Sequence, residues 1–393
     1  MATLSFRDAR QCVIETVRPA AGIEEVRLED ACGRVLAEPI LADRDYPATA
    51  RSLRDGFAVR SEDTPGRLRV TGEVAAGAVF AGNVKRGEAV EIMTGAPVPH
   101  SADAVVMVEH TKRDGEFVSV PAAKAGQFVN PQGSEARAGA QLLPPGSRLG
   151  YAEIAMLAAV GKTSVHVYKQ PRVAVLATGD EIVEISDQPL AHQVRNSNAY
   201  SLAAQVRTAG GIAEILPVAR DTEASTRALI EQGLAFDLLL ISGGVSAGKH
   251  DLVERVLAGL GAEFFFDRVL IQPGQPLVFG RARGTFFFGL PGNPASTMVT
   301  FELFARAGIE LLGGRREVRL PFALARLAAP FRHKPGLTRF LPARLSDDGS
   351  EVTPEPWHGS SDIPAMARAN ALLVAEAERE SWEAGDLIRV LIK

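Results

Sequence analysis

The sequence predicts a multidomain α/β protein centred on a doubly wound, mostly parallel sheet, with a helical platform and two small β regions beside it. Three observations lead there. Apolar, β-rich runs alternate with helical patterns between Val173 and Phe288, short alternating runs broken by Gly, Pro and Asp-Gly turns fill Arg67 to Val120, and the strand–helix alternation stops after Gly313-Gly314. Strands buried on both faces read as continuous apolar runs, and the helices between them supply the crossovers that a parallel sheet needs.

In chain order, Ser5 with Asp8 three residues on forms a capping-box-like start, and Ala9, Cys12, Val13 and Val17 then recur at helical spacing. The pattern over Val26 to Leu36 predicts a second helix, followed by a proline-bearing linker from Pro39 to Pro47. The pieces Leu68–Val70, Ala89–Met93, Ala104–Val108 and Phe117–Val120 read as a small β domain. Helical pattern returns at Tyr151–Val160, so this β domain reads as an insertion into a platform made from residues on either side of it. A strand at Val173–Ala177, a helix at Ala199–Ala209, a strand at Ile212–Val218 and a helix at Thr222–Gln232 follow. The strand Leu238–Ile241, the helix Leu252–Leu260 and the apolar runs Phe264–Phe266, Leu277–Phe279 and Phe286–Phe288 complete the α/β region, and strand-like pieces from Pro321 to Lys393 close the chain. The expected divisions are 1–43 plus 139–168, 44–138, 169–315 and 316–393.

At roughly 150 residues per domain, 393 residues exceed one core. Forty-three basic residues against 47 acidic ones give a net charge of −4, so no global attraction to a polyanion is expected and nucleic-acid binding is not predicted. The two cysteines form no Cys-x-x-Cys pair and the seven histidines no His-x-x-x-His pattern, which leaves disulfide scaffolds and cysteine zinc sites without material. Met1 to Arg10 carries Arg7, Asp8 and Arg10 with no apolar stretch behind them, and the helix-like run at 151–160 is too short for a bilayer. No membrane segment and a cytoplasmic location are expected.

Ligands of open parallel sheets bind at the C-terminal ends of the strands, where loops converge and helix N-termini point. Three glycine-rich turns are predicted on that edge: Thr178-Gly179-Asp180-Glu181, Ser242-Gly243-Gly244-Val245-Ser246 and Leu290-Pro291-Gly292-Asn293-Pro294. Pro294 at a first helical position would leave the amides of Ala295 and Ser296 free to donate to an anion. None of the turns is a Walker loop or a Gly-x-Gly-x-x-Gly fingerprint, so a phosphate ester outside the ATPase and dinucleotide classes is expected. Glu181, Asp221 and Asp251 fall at the same strand ends. Together they suit Mg²⁺, which takes one or two carboxylates plus phosphate oxygens and water. Asp55-Gly56 and Thr94-Gly95 read as turns of the β domain.

Ser52 to Val59, Met93-Thr94-Gly95-Ala96-Pro97-Val98-Pro99, Ala102 to Met107 and the three strand-end turns resemble, in order and over almost the whole chain, the molybdopterin molybdenumtransferase family, a relative of the gephyrin E domain. The resemblance implies an α-rich platform, an inserted β domain, the α/β domain and a C-terminal β barrel. It implies that adenylylated molybdopterin and molybdate are the substrates, AMP is released and Mg²⁺ assists. Asp55, Thr94, Glu181, Asp221 and Asp251 match the family's functional positions, as do Pro291 and Pro294. It further implies a homodimer whose site lies between subunits, a molybdopterin adenylyltransferase upstream and molybdoenzymes downstream. Thr178, Gly179, Asp180, Ser242, Gly243, Gly244, Ser246, Gly292 and Asn293 are the expected substrate contacts. The chain departs from the family at Gln272-Pro273-Gly274-Gln275-Pro276, where Lys-Pro-Gly-Lys-Pro is usual. Gln272 and Gln275 bring amides where ammonium groups are common, and Arg54 returns a positive charge next to Asp55. Weaker anion binding, or a non-catalytic molybdopterin-binding or scaffold paralogue, is the alternative this departure raises.

Overall fold

The computed structural model describes residues 3–19, 22–244 and 252–393, which form two compact units. The first contains residues 1–37, 145–154 and 164–393; the second contains 38–144 and 155–163.

The first unit is organised by a seven-stranded sheet. Its strands are β1 (Thr3–Leu4), β2 (Arg172–Ala177), β3 (Ile212–Ile215), β4 (Leu238–Ser242), β5 (Glu263–Val269), β6 (Pro276–Ala282) and β7 (Thr285–Leu290), in the spatial order β1-β5-β6-β7-β4-β2-β3. The pairs β1–β5, β7–β4, β4–β2 and β2–β3 are parallel, while β6 runs antiparallel to both neighbours. The expected mostly parallel sheet is therefore mixed at the β5-β6-β7 hairpins.

Period-two alternation sorts the side chains onto two cores. Val173, Val175, Leu238 and Leu240 face one cluster, whereas Ala174, Leu176, Leu239 and Ile241 face the other. The first core is covered by α1 (Phe6–Thr16), α3 (Ser197–Thr208) and the run from α6 (Pro294–Thr300) through a π turn at Phe301–Ala305 to α7 (Arg306–Leu312); the second is covered by α4 (Glu223–Gly233) and α5 (Leu252–Gly259). The helix α2 (Tyr151–Ala159) lies outside these layers.

Caps set where helices start. Ser5 accepts the Asp8 amide at 3.2 Å, Asn196 accepts that of Ala199 at 3.2 Å, and Thr222 accepts that of Ser225 at 3.3 Å. Arg10 ties α1 to the far end of the chain by donating to the carbonyls of Leu303 at 2.6 Å and Val318 at 3.2 Å; burial pushes its pKa down to about 10. Glu310, 4% exposed, is held by Arg306 at 3.1 Å and Arg315 at 3.2 Å.

After α7 the chain makes a β barrel. Strands at Phe322–Leu327, Thr338–Leu345, Glu351–Pro354, Ala371–Ala375 and Leu387–Ile392 pair around a closed circuit, and Ala325, Leu327, Leu373, Trp382 and Val390 fill it. The second unit carries a six-stranded sheet in the order 104–107, 56–59, 88–92, 66–74, 117–120, 112–114. Phe57, Val59, Ala104 and Val106 face one side of it and Ala58, Val90, Ile92 and Val105 the other.

The helix expected over Val26 to Leu36 is absent. Ile23–Arg27 is a strand antiparallel to Ser164–Tyr168, Leu28–Asp30 is a single 3₁₀ turn, and Gly33 takes a φ of 82° that no helix continues through. The partner strand is more than a hundred residues away, so a non-local ladder overrides the local pattern.

Candidate active site

The chain leaves β2 for β3 on one side and then crosses to β4 on the other, making the C-terminal ends of β2 and β4 a switch point where loops part. The three predicted turns follow β2, β4 and β7, which are adjacent in the sheet. They are stitched together: the Thr178 amide donates to Ser242 O at 3.1 Å and the Gly243 amide to Leu290 O at 3.2 Å. Sequence reasoning missed the residue that ties them further. Asn198, in the first turn of α3, donates from Nδ2 to Ser242 Oγ at 2.8 Å, to Gly292 O at 2.8 Å and to Thr297 Oγ1 at 3.3 Å, while its buried Oδ1 has no partner among the described residues. Its signal was an amide side chain inside a helix, where such residues are disfavoured without a task.

The acids gather on the β2 side. Asp180 and Asp221 exchange backbone-to-carboxylate hydrogen bonds, the Asp180 amide donating to Asp221 Oδ2 at 3.4 Å and the Asp221 amide to Asp180 Oδ1 at 3.2 Å. Glu181 folds its carboxylate over Gly179, where a Cβ would lie 2.4 Å from Oε2. With φ at 140°, that position favours glycine by its backbone conformation, while the Glu181 carboxylate is a flexible neighbour. Ser246 and Asp251 lie outside the described residues, and among the described residues no three His, Cys, Asp or Glu groups stand close enough to hold a metal.

The turn after β7 corrects one expectation. Asn293 caps α6 and Pro294 begins it, but the Ala295 amide is not free: it donates to Ser360 O at 2.9 Å, and Asn293 Nδ2 donates to Ser360 Oγ at 2.8 Å. A loop from the barrel region has taken the donor that the helix start exposed. Thr297 Oγ1 closes the turn from inside by donating to Pro291 O at 2.5 Å. Gln272 lies exposed on a short strand beside Arg339, whose buried Nε lacks a partner among the described residues, and Gln275 O accepts the Val269 amide at 3.0 Å. Arg339 is a second functional candidate that the sequence did not single out.

In the second unit Asp55 and Thr94 meet. One carboxylate oxygen, Oδ1, accepts the Thr94 amide at 2.6 Å and the Thr94 hydroxyl at 2.7 Å, and these bonds, the amide's first, hold the Asp55 carboxyl below the ordinary aspartate range. The loop is fixed from beneath by buried Ser52, whose Oγ donates to Arg54 O at 2.6 Å. Gly56 admits no side chain, because a Cβ there would stand 1.9 Å from Val106 O. Arg54 is exposed and turns back to Leu53 O at 3.3 Å.

Set against known proteins, this arrangement has a clear kin group. Models of the MoeA N-terminal region (domains I and II), a probable molybdopterin binding domain and the MoeA C-terminal region (domain IV) match residues 4–161, 174–310 and 324–393. A molybdopterin molybdenumtransferase of Bacillus subtilis (strain 168) is 35% identical over 384 residues, spanning 94% of this chain and 89% of the relative. The chain belongs to the molybdopterin molybdenumtransferase family. Another member, from Nostoc sp. (strain PCC 7120), is 37% identical over 326 residues, covering 79% of this chain and 74% of its own. A molybdopterin biosynthesis moeA protein from Pyrococcus horikoshii OT3 has a similar structure, with a TM-score of 0.81 at 26% identity over 100% of both chains. The family and fold expected from the motifs are thus met. Among the described residues no helix is long and apolar enough to cross a membrane.

Proposed function

We propose that this chain carries out the molybdenumtransferase step itself, joining molybdate to adenylylated molybdopterin and releasing AMP. The observation that carries the reading is the set of adjacent strand-end turns, tied by Asn198 and flanked by Glu181, Asp180 and Asp221. Backbone and hydroxyl groups of the turns, with the amides of Thr178, Gly243 and Ala295 already engaged, suit phosphate oxygens, and carboxylates on one side suit a cation that accompanies them. The backbone N–H hydrogen bonds between Asp180 and Asp221 each engage only one carboxylate oxygen, so Asp221 keeps acceptor capacity for Mg²⁺ beside Glu181, with Asp251 as the third acid of the set. Mg²⁺ held by these acids would polarise the phosphoanhydride and offset charge developing as AMP departs. Ser242, Gly243, Gly244, Gly292 and Asn293 position the phosphates, and the dithiolene sulfurs of the pterin, not protein thiols, receive the molybdenum.

The proposal extends to a homodimer in which Asp55 and Thr94 of one subunit complete the site of the other, in a cytoplasmic pathway with the adenylyltransferase before it and molybdoenzymes after it. The four-part division at 43/44, 138/139, 168/169 and 315/316 is part of the same reading. Purified protein given adenylylated molybdopterin, molybdate and Mg²⁺ together is expected to release AMP, and omission of any one is expected to stop release. Well-folded protein that releases none with all three present would remove the proposal.

A second reading, a molybdopterin binder without turnover, is favoured by one observation, the uncharged Gln272 and Gln275. Arg339, the register partner of Gln272 on the adjacent strand, keeps one cationic residue in that pair. Calorimetry with adenylylated molybdopterin separates the readings: binding with no AMP release supports the binder.

A further inference from the structure

The helix α3 turns one polar edge toward α6. Asn198 and Gln205 stand seven residues apart, close to two full turns, and so share a face. Gln205 Nε2 donates to Met298 O at 3.1 Å and to Glu302 Oε1 at 2.8 Å, and Arg306 holds Glu302 at 3.0 Å, which pins α3 along the helix that starts at Pro294. Asn198 works from this fixed base. Gly292 O sets the orientation of its amide: a carbonyl can only accept, so the group facing it at 2.8 Å is Nδ2. Nδ2 can only donate, and at 2.8 Å it makes Ser242 Oγ an acceptor as well. The Ser242 hydroxyl hydrogen must then point away from Asn198, and it meets no acceptor among the described residues. Thr297 differs, because its hydroxyl gives its hydrogen to Pro291 O at 2.5 Å.

Two groups are thus left unsatisfied: Asn198 Oδ1, buried without a donor among the described residues, and the hydrogen of Ser242, a residue only 3% exposed. Buried polar groups without partners are destabilising, and they persist where a task requires them. The strand end beside Ser242 carries no side chains to block a ligand, since Gly243 and Gly244 follow it and Gly292 faces Gly243, where a Cβ would lie 3.7 Å from Gly243 Cα. We propose that Asn198 is a positioning residue of the molybdenumtransferase site, holding Ser242 Oγ as an acceptor so that its hydrogen is presented to a phosphate oxygen of adenylylated molybdopterin. The inference rests on the proposed function and deepens it. Asn198 itself touches no substrate; it fixes the sense of the Ser242 hydroxyl and, through Gly292 O, the spacing of two turns. An anionic oxygen is the strongest acceptor that such a hydroxyl can meet.

The test is a double-mutant cycle on kcat/KM for AMP release from adenylylated molybdopterin, with molybdate and Mg²⁺ present. Asn198→Ala and Ser242→Ala are each expected to lower it about tenfold, and the double variant no further than about the larger single loss, because Asn198 acts through a hydroxyl already removed. Asn198→Asp keeps the shape but offers Ser242 an acceptor that draws its hydrogen inward. A loss of about tenfold or more is expected from it with Ser242 present, and little further loss in the Ser242→Ala background. This variant decides the matter if Asn198→Ala melts more than a few degrees low. An Asn198 that only filled space would give equal losses in both backgrounds. A wild type that turns over, combined with losses that multiply in the double variants or with no loss on replacing Asn198, overturns the inference and leaves the proposed function standing. A wild type that releases no AMP removes both.

Discussion

The two acid-bearing regions hold their carboxylates in opposite ways. In the β module, Asp55 puts one oxygen against two donors from Thr94 at 2.6 and 2.7 Å, short bonds that fix its direction and favour its charged form. At the sheet edge, Asp180 and Asp221 are joined by longer amide bonds of 3.4 and 3.2 Å, and Glu181 rests over a glycine. A clamped acid is suited to orienting one group, whereas loosely held acids keep coordination capacity for a cation whose oxygen shell must be assembled with the substrate. On this account the module supplies direction and the edge supplies charge.

The contrast can be broken at several points. The largest effect is expected from Gly56→Ala, since a methyl 1.9 Å from Val106 O must displace the strand that carries Asp55. A loss of about 3 kcal/mol or more in unfolding free energy, read by denaturant titration, is expected. Glu181→Gln and Asp221→Asn come next, each lowering AMP release about 100-fold or more at saturating substrate while moving the melting temperature by no more than a few degrees. Unchanged turnover in both would show that the edge acids serve only the loop. Thr94→Val keeps the amide donor and removes the hydroxyl, so a loss of about tenfold in turnover is expected.

The smallest effect sharpens the clamp itself. Because hydrogen bonds depress the Asp55 pKa in the folded chain, their contribution to stability is complete above the unfolded value of about 3.9 and is lost as pH falls through the lower folded value. Thr94→Val should therefore shift that loss to higher pH, seen as a raised Asp55 midpoint in a carboxyl ¹³C titration. An unmoved midpoint would mean that the hydroxyl does not hold the charge.

What could be read from the residues followed from how local each cause was. The run Arg172–Ala177 is buried on both faces and declares itself by composition, and the turns behind β2, β4 and β7 are marked by glycine and proline. The strand Ile23–Arg27 was hidden because its ladder partner, Ser164–Tyr168, lies beyond an entire inserted domain. The Ala295 amide looked free because nothing near it in sequence reveals that Ser360 arrives to accept it. Asn198 and Arg339 escaped notice for the same reason: one acts by linking turns from three segments, and the other stands out only by an Nε left without an acceptor. Motif order conveyed the family because six short segments had to agree at once, whereas the proposed shared use of Asp55 with Glu181 would rest on an assembly no single segment encodes.

That shared use is best tested by mixing two inactive proteins. Asp55→Ala and Glu181→Gln chains are unfolded and refolded together, and AMP release is compared with that of each variant alone. If each site draws Asp55 from one subunit and Glu181 from the other, half of the dimers are mixed and each has one intact site, so activity should recover to about a quarter of the wild type. A mixture in which mixed dimers form yet release no more AMP than the separate variants would contradict the account.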